Sequence, residues 1–132
     1  MLMVKKLFPF ALLALMTMTG CVTTQTTITN LTPKREFRSN DGTYAVEAAL
    51  NSRQQTLRWD TIKASVMVGT EFYPMRQTSL MTNRWETLIP VPPGSSVISY
   101  RFKFDYDYNA FSSPPKADSK LSQPYKLQIM DR

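Results

Sequence analysis

Between Ser96 and Tyr108 the chain alternates with a period of two. Ile98, Tyr100, Phe102, Phe104, Tyr106 and Tyr108 fall on one side, and Ser99, Arg101, Lys103, Asp105 and Asp107 on the other. Successive side chains of an extended strand point to opposite faces, so the segment presents one aromatic face and one charged face; a helix, at 3.6 residues per turn, would scatter both sets. A strand of this kind needs a second layer over its rings and water on its other side, which confines the chain to sheets with one buried face.

Shorter runs repeat the pattern. Tyr44, Val46, Ala48 and Leu50 share one face, as do Ile62, Ala64, Val66 and Val68, then Trp85, Thr87, Ile89 and Val91, and finally Leu127 and Ile129. Turn signals separate them at Asn40-Asp41-Gly42, Asn51-Ser52, Gly69, Pro92-Pro93-Gly94, Pro114-Pro115 and Pro124. About seven short strands with turns every 8–15 residues predict an all-β, antiparallel immunoglobulin-like sandwich over 39–132. Ala45–Gln55, with Ala48-Ala49-Leu50, is a helical competitor. Trp85, Tyr100, Phe102 and Phe104 are expected in the core, because large aromatics dominate sandwich interiors.

The chain has no histidine, which removes the usual general base, the Ser/His and Cys/His nucleophile pairs and the commonest zinc ligand. Neither catalysis nor a cofactor is expected. Asp105-x-Asp107-x-Asn109 resembles the start of a calcium loop, but it lacks the Gly at the sixth position and carries Lys116 where the closing Glu belongs, so no metal is expected either. Basic residues exceed acidic ones by six, and two of the lysines, Lys5 and Lys6, sit at the extreme N-terminus. The rest are dispersed from Lys34 to Arg132 and gather into no stripe, which argues against nucleic-acid binding.

Cys21 is the only cysteine, so no disulfide can form within the chain. Its setting is informative. A basic start at Met1–Lys6, an apolar run at Leu7–Met16 and small or polar residues at Thr17–Gly20 have the layout of a secretory leader; a membrane span needs about 20 apolar residues and would be weakened by Pro9. Met18-Thr19-Gly20-Cys21 resembles the lipobox of bacterial lipoproteins, with Met18 where that family prefers Leu. The resemblance implies cleavage of residues 1–20, diacylglycerol on the Cys21 sulfur, attachment to a membrane and, with Val22 following, a place at the outer membrane. Residues 21–38, rich in Thr and broken by Pro33, are expected to be a tether spanning about 20–25 Å; a β-branched first strand over Thr26–Leu31 is the alternative.

Ile62 to about Asn109 resembles the early-set sandwich modules of isoamylases, glycogen-branching enzymes and AMP-activated kinase. The residues that carry the likeness are Val66-Met67-Val68-Gly69, Glu71-Phe72-Tyr73-Pro74-Met75, Arg84-Trp85-Glu86, Pro92-Pro93-Gly94 and Tyr100-Arg101-Phe102-Lys103-Phe104. It implies a grip on α-glucan, with Lys103 at the family's lysine position and Tyr73 in its binding loop; Asp107-Tyr108-Asn109 replaces the segment that supplies the family's second stacking ring. Tyr106, Tyr108 and Phe111, which carry the aromatic row past the central strand into a Ser/Pro loop, are expected to form an uncovered contact patch. The expected function is a lipid-anchored, non-catalytic interaction module that meets an envelope protein, or alternatively a polysaccharide.

Overall fold

The alternating segment forms one long strand held between two layers. The computed structural model describes residues 25–132, in ten strands: β1 (Thr26–Asn30), β2 (Arg35–Phe37), β3 (Thr43–Ser52), β4 (Leu57–Val68), β5 (Glu71–Pro74), β6 (Arg76–Gln77), β7 (Arg84–Pro90), β8 (Val97–Ala110), β9 (Ser113–Leu121) and β10 (Tyr125–Met130). The leader and Cys21 lie outside the described residues. One sheet has the order β1-β3-β7-β6 and the other β2-β10-β8-β4-β5, with β9 also paired to β8. These are the A-B-E-D and G-F-C-C′ orders of an immunoglobulin-like sandwich. The expected architecture is present with more strands than the seven the turns suggested, and with one parallel pairing, β2 against β10.

The core is the set of inward residues of both layers. Val46, Leu50 and Ile89 from one sheet meet Val66, Tyr100, Phe102, Phe104 and Leu127 from the other, all fully buried. The Trp85 ring stands edge-on to Phe104 at 5.3 Å, and Tyr100 edge-on to Phe102 at 5.5 Å, the geometry that ring quadrupoles favour. The Tyr100 hydroxyl accepts a hydrogen bond from Asn30 Nδ2 at 2.9 Å across the two sheets. The Ala45–Gln55 stretch is strand up to Ser52, because Tyr44, Val46, Ala48 and Leu50 bury one face that a helix would disperse.

Three expectations need correction. From Thr26 on, the segment expected as a tether is folded, as the alternative of a first strand had it: β1 pairs antiparallel with β3, and after Pro33 interrupts the strand β2 joins the other sheet. Thr26, Ile28 and Asn30 are the inward residues of β1, with Thr26 Oγ1 hydrogen-bonded to Ser52 Oγ at 2.8 Å, and after the strand the buried Thr32 donates from Oγ1 to Glu47 O at 3.2 Å. Asn51-Ser52 closes β3, and the turn comes later, over Arg53–Thr56. Pro114-Pro115 lies inside β9, an edge strand whose free side needs no donors. Pro124 does mark a corner, where Ser122 caps β8 by exchanging backbone and side-chain bonds with Phe102, both at 2.8 Å.

The turn between β2 and β3 sets an acid limit on this fold. Asp41 accepts from the Ser39 hydroxyl and from Thr43 N (3.0 Å) and Oγ1 (2.9 Å), and these bonds, the Ser39 one foremost, lower its pKa from 3.8 to about 2. Since folding favours the ionised form, the contribution is complete above the ordinary carboxylate range and is lost as pH falls from about 4 to about 2. The thermal midpoint of the wild-type protein is expected to drop across that window, and that of Asp41→Asn to drop less; parallel curves from scanning calorimetry would contradict this.

Candidate functional site

Parity along β8 divides the expected contact residues between surfaces. Tyr106 and Tyr108 share the inner face with Phe104, whereas Lys103 points outward with Arg101 and Asp105. Tyr106 is not uncovered as expected: at 5% exposure it is buried against β1 and β9, and burial first, then the nearby Asp118 carboxylate, raises its hydroxyl pKa. Tyr108 is half-buried, opposite Leu57 on one side and Lys116 on the other. Phe111 is at the tip of the β8–β9 hairpin, 99% exposed. Tyr73 faces inward opposite Val66 and packs against the core. The five residues therefore do not converge on one ligand.

Two surfaces emerge instead. The first is the outer face of the larger sheet. The two-residue hairpin Gly69-Thr70, with Gly69 at φ 63° as such a turn requires, sets Phe72 opposite Met67 and Pro74 opposite Ser65. Neighbouring rows bring Ser65 beside Lys103 and Leu121, and Met67 beside Arg101. Phe72 is 50% exposed and Lys103 Nζ lies 5.7 Å from its ring centroid, while also 3.5 Å from Asp105 Oδ1. Val97 and Phe37 are half exposed farther along the same face, with Arg132 5.0 Å over the Phe37 ring. Arg101 is fixed by donating from Nε to Ser122 O at 2.9 Å. Exposed apolar side chains are thus interleaved with guanidinium and ammonium groups on this face.

The second surface is the end of the sandwich from which the β8–β9 hairpin projects. β4 accompanies it, and a bulge between Arg58 and Lys63 turns Trp59 outward to 41% exposure. Thr61 Oγ1 closes the bulge, donating to Arg58 O at 2.6 Å and accepting from Asp107 N at 2.8 Å.

Phe72, Trp59 and Leu121 escaped the sequence reading. Phe72 and Tyr73 are adjacent aromatics in a short strand, and only the register against β4 decides which of them faces out. A Trp in a bulge has no periodic neighbour to place it.

No family model matches the chain, and no curated protein matches it. Among solved structures, one of murine CRIg is similar over 80% of this chain and 98% of its own, with 9% sequence identity and a TM-score of 0.40. The sheet order described above carries the fold assignment.

The two ends of the aromatic row are expected to respond differently to truncation. Phe104→Ala should cost about 3–5 kcal/mol, as a buried ring lost from a packed core, whereas Phe111→Ser should stay within about 0.5 kcal/mol of wild type. Urea unfolding measures both, and comparable losses would show that the hairpin tip is part of the core.

Proposed function

We propose that this chain is a lipid-anchored, non-catalytic interaction module of the cell envelope, attached through Cys21, and that the outer face of its larger sheet receives a partner protein bearing acidic groups. The observation that carries this reading is the set of half-exposed apolar residues, Phe72, Leu121, Val97 and Phe37, lying among Arg101, Lys103, Lys126 and Arg35 on one sheet face. Cations outnumber the Asp105 and Asp107 carboxylates there, so an acidic surface would be steered in while the apolar residues supply contact area. The lipobox resemblance supports the anchor and the outer-membrane location.

The early-set resemblance supports a second reading, α-glucan binding. Its strongest support is Lys103 beside the exposed Phe72 ring, since an aromatic face buries the C–H surface of a sugar while a lysine bonds its hydroxyls. Against it, Tyr73 packs inward, which leaves one ring where two would bracket a chain.

A photo-cross-linking residue in place of Phe72 is expected to give a discrete protein adduct in intact cells, which Arg101→Glu weakens at least about tenfold. The same probe at Leu88, exposed on the opposite sheet, should give none. Adducts from Leu88 alone would contradict the assignment. Affinity electrophoresis through glycogen and starch separates the two readings: unchanged mobility fits the protein partner, and retardation abolished by Lys103→Ala fits the glucan.

A further inference from the structure

We infer that the tip of the β8–β9 hairpin, Phe111, rests in the surface of the same bilayer that holds the lipid on Cys21, so that the sandwich stands on the membrane at two points. The inference rests on the anchor proposed above and deepens it by fixing how the domain is oriented. Its basis is where the folded chain begins. Gln25 O accepts a hydrogen bond from Arg53 N at 2.8 Å, which places the start of the fold beside the β3–β4 turn. Three residues lie between Cys21 and Gln25, and the four Cα steps, fully extended, reach at most about 14 Å.

The hairpin leaves from this same end. Asn109 N donates to Thr56 O at 2.8 Å, at the far side of the β3–β4 turn, and Phe111 lies two residues farther along the strand, about 7 Å beyond it. A leash of about 14 Å and a rigid arm of about 7 Å thus project from one end, and an acylated Cys21 held at headgroup level brings the arm's tip to that level too. The chemistry of the end suits the contact. Phe111 is 99% exposed and Trp59, turned out by the β4 bulge, is 41% exposed; at the same end Lys116 lies opposite Tyr108 on the hairpin and Arg53 stands in the β3–β4 turn. Aromatic side chains with nearby cations are the groups that settle at the boundary between acyl chains and headgroups. Phe111 and Ser112 form the two-residue turn at the apex, Ser112 with a positive φ of 56°.

The opposite end, with the turn at Pro92–Gly94 and exposed Ser96, points away from the membrane in this orientation, and the outer face of the larger sheet stands upright and open to a partner. Because the native cysteine is consumed by the lipid, Phe111→Cys and Ser96→Cys each introduce one labelling site for an environment-sensitive dye. In the full lipidated protein, reconstituted into phosphatidylethanolamine–phosphatidylglycerol vesicles, a lipid carrying a nitroxide near its headgroup should quench the dye at 111 at least about twofold and leave that at 96 unchanged. Absence of quenching at 111, or equal quenching at both positions, overturns the inference, and so does a blue-shifted but unquenched dye at 111, which would place that residue against protein. Palmitate labelling of the same preparations separates the two levels: label retained with no quenching sinks the orientation alone, and label absent sinks the anchor with it.

Discussion

Burial of one face of β8 is the constraint on which the rest of the structure depends. Tyr100, Phe102 and Phe104 are each nearly sealed from solvent, and no single sheet can achieve that, because rings standing off one pleated surface need a second layer about 10 Å away. Trp85, Ile89, Val46 and Leu50 supply it. Once the rings are covered, the alternate residues of β8 must face water, and the outer face with its lysine, arginine and aspartates follows from the same parity. The buried core and the proposed contact surface therefore occupy opposite sides of one strand, one residue apart.

β8 also outruns the sandwich. Its first half pairs with β10, and its second half with β9; the change of partner falls at Ser122–Pro124, where a serine side chain replaces the missing ladder bonds at Phe102. This corner lets the strand continue into a hairpin, with Phe104 and Tyr106 still buried on the β9 side of it and Phe111 bare at the tip. The aromatic row passes without a break from packed core to half-buried Tyr108; Ala110 takes the next inward position, and fully exposed Phe111 falls outside the alternation, in the turn.

That continuity explains what could be read from the residues and what could not. Strands with aliphatic or aromatic inward positions were legible, since hydropathy and period agree; the two-layer, all-β class followed from them. β1 appeared only as the alternative to a tether, because its inward Thr26, like Thr32 just after it, has a hydroxyl satisfied inside the fold by Ser52 or Glu47, and a buried threonine looks the same in sequence as a solvated one. β9 was hidden by its composition, since Ser-Pro-Pro-Lys reads as loop chemistry yet also suits an edge strand that must not recruit another chain. Among the site residues, Lys103 was placed correctly on the outward face by alternation alone. Tyr106 was not, because its cover comes from β1 and β9, the two strands the pattern did not reveal. Recovering β1 changes the functional picture more than any other correction: under the proposed attachment at Cys21, a tether over 21–38 would free the domain from the membrane, whereas a fold that begins at Thr26 would keep one end of the sandwich beside it.

Hydrogen exchange of the segment Thr26–Leu31 tests the account most directly, because both the cover over Tyr106 and the shortness of the leash depend on β1 being a strand. Peptides covering Thr26–Leu31 should exchange on the timescale of the β3 peptides with which they pair, slowed by orders of magnitude relative to an unfolded chain. Exchange of that segment at unfolded-chain rates, while Tyr100–Tyr106 stays protected, would show that the fold begins later and that the membrane does not fix its orientation.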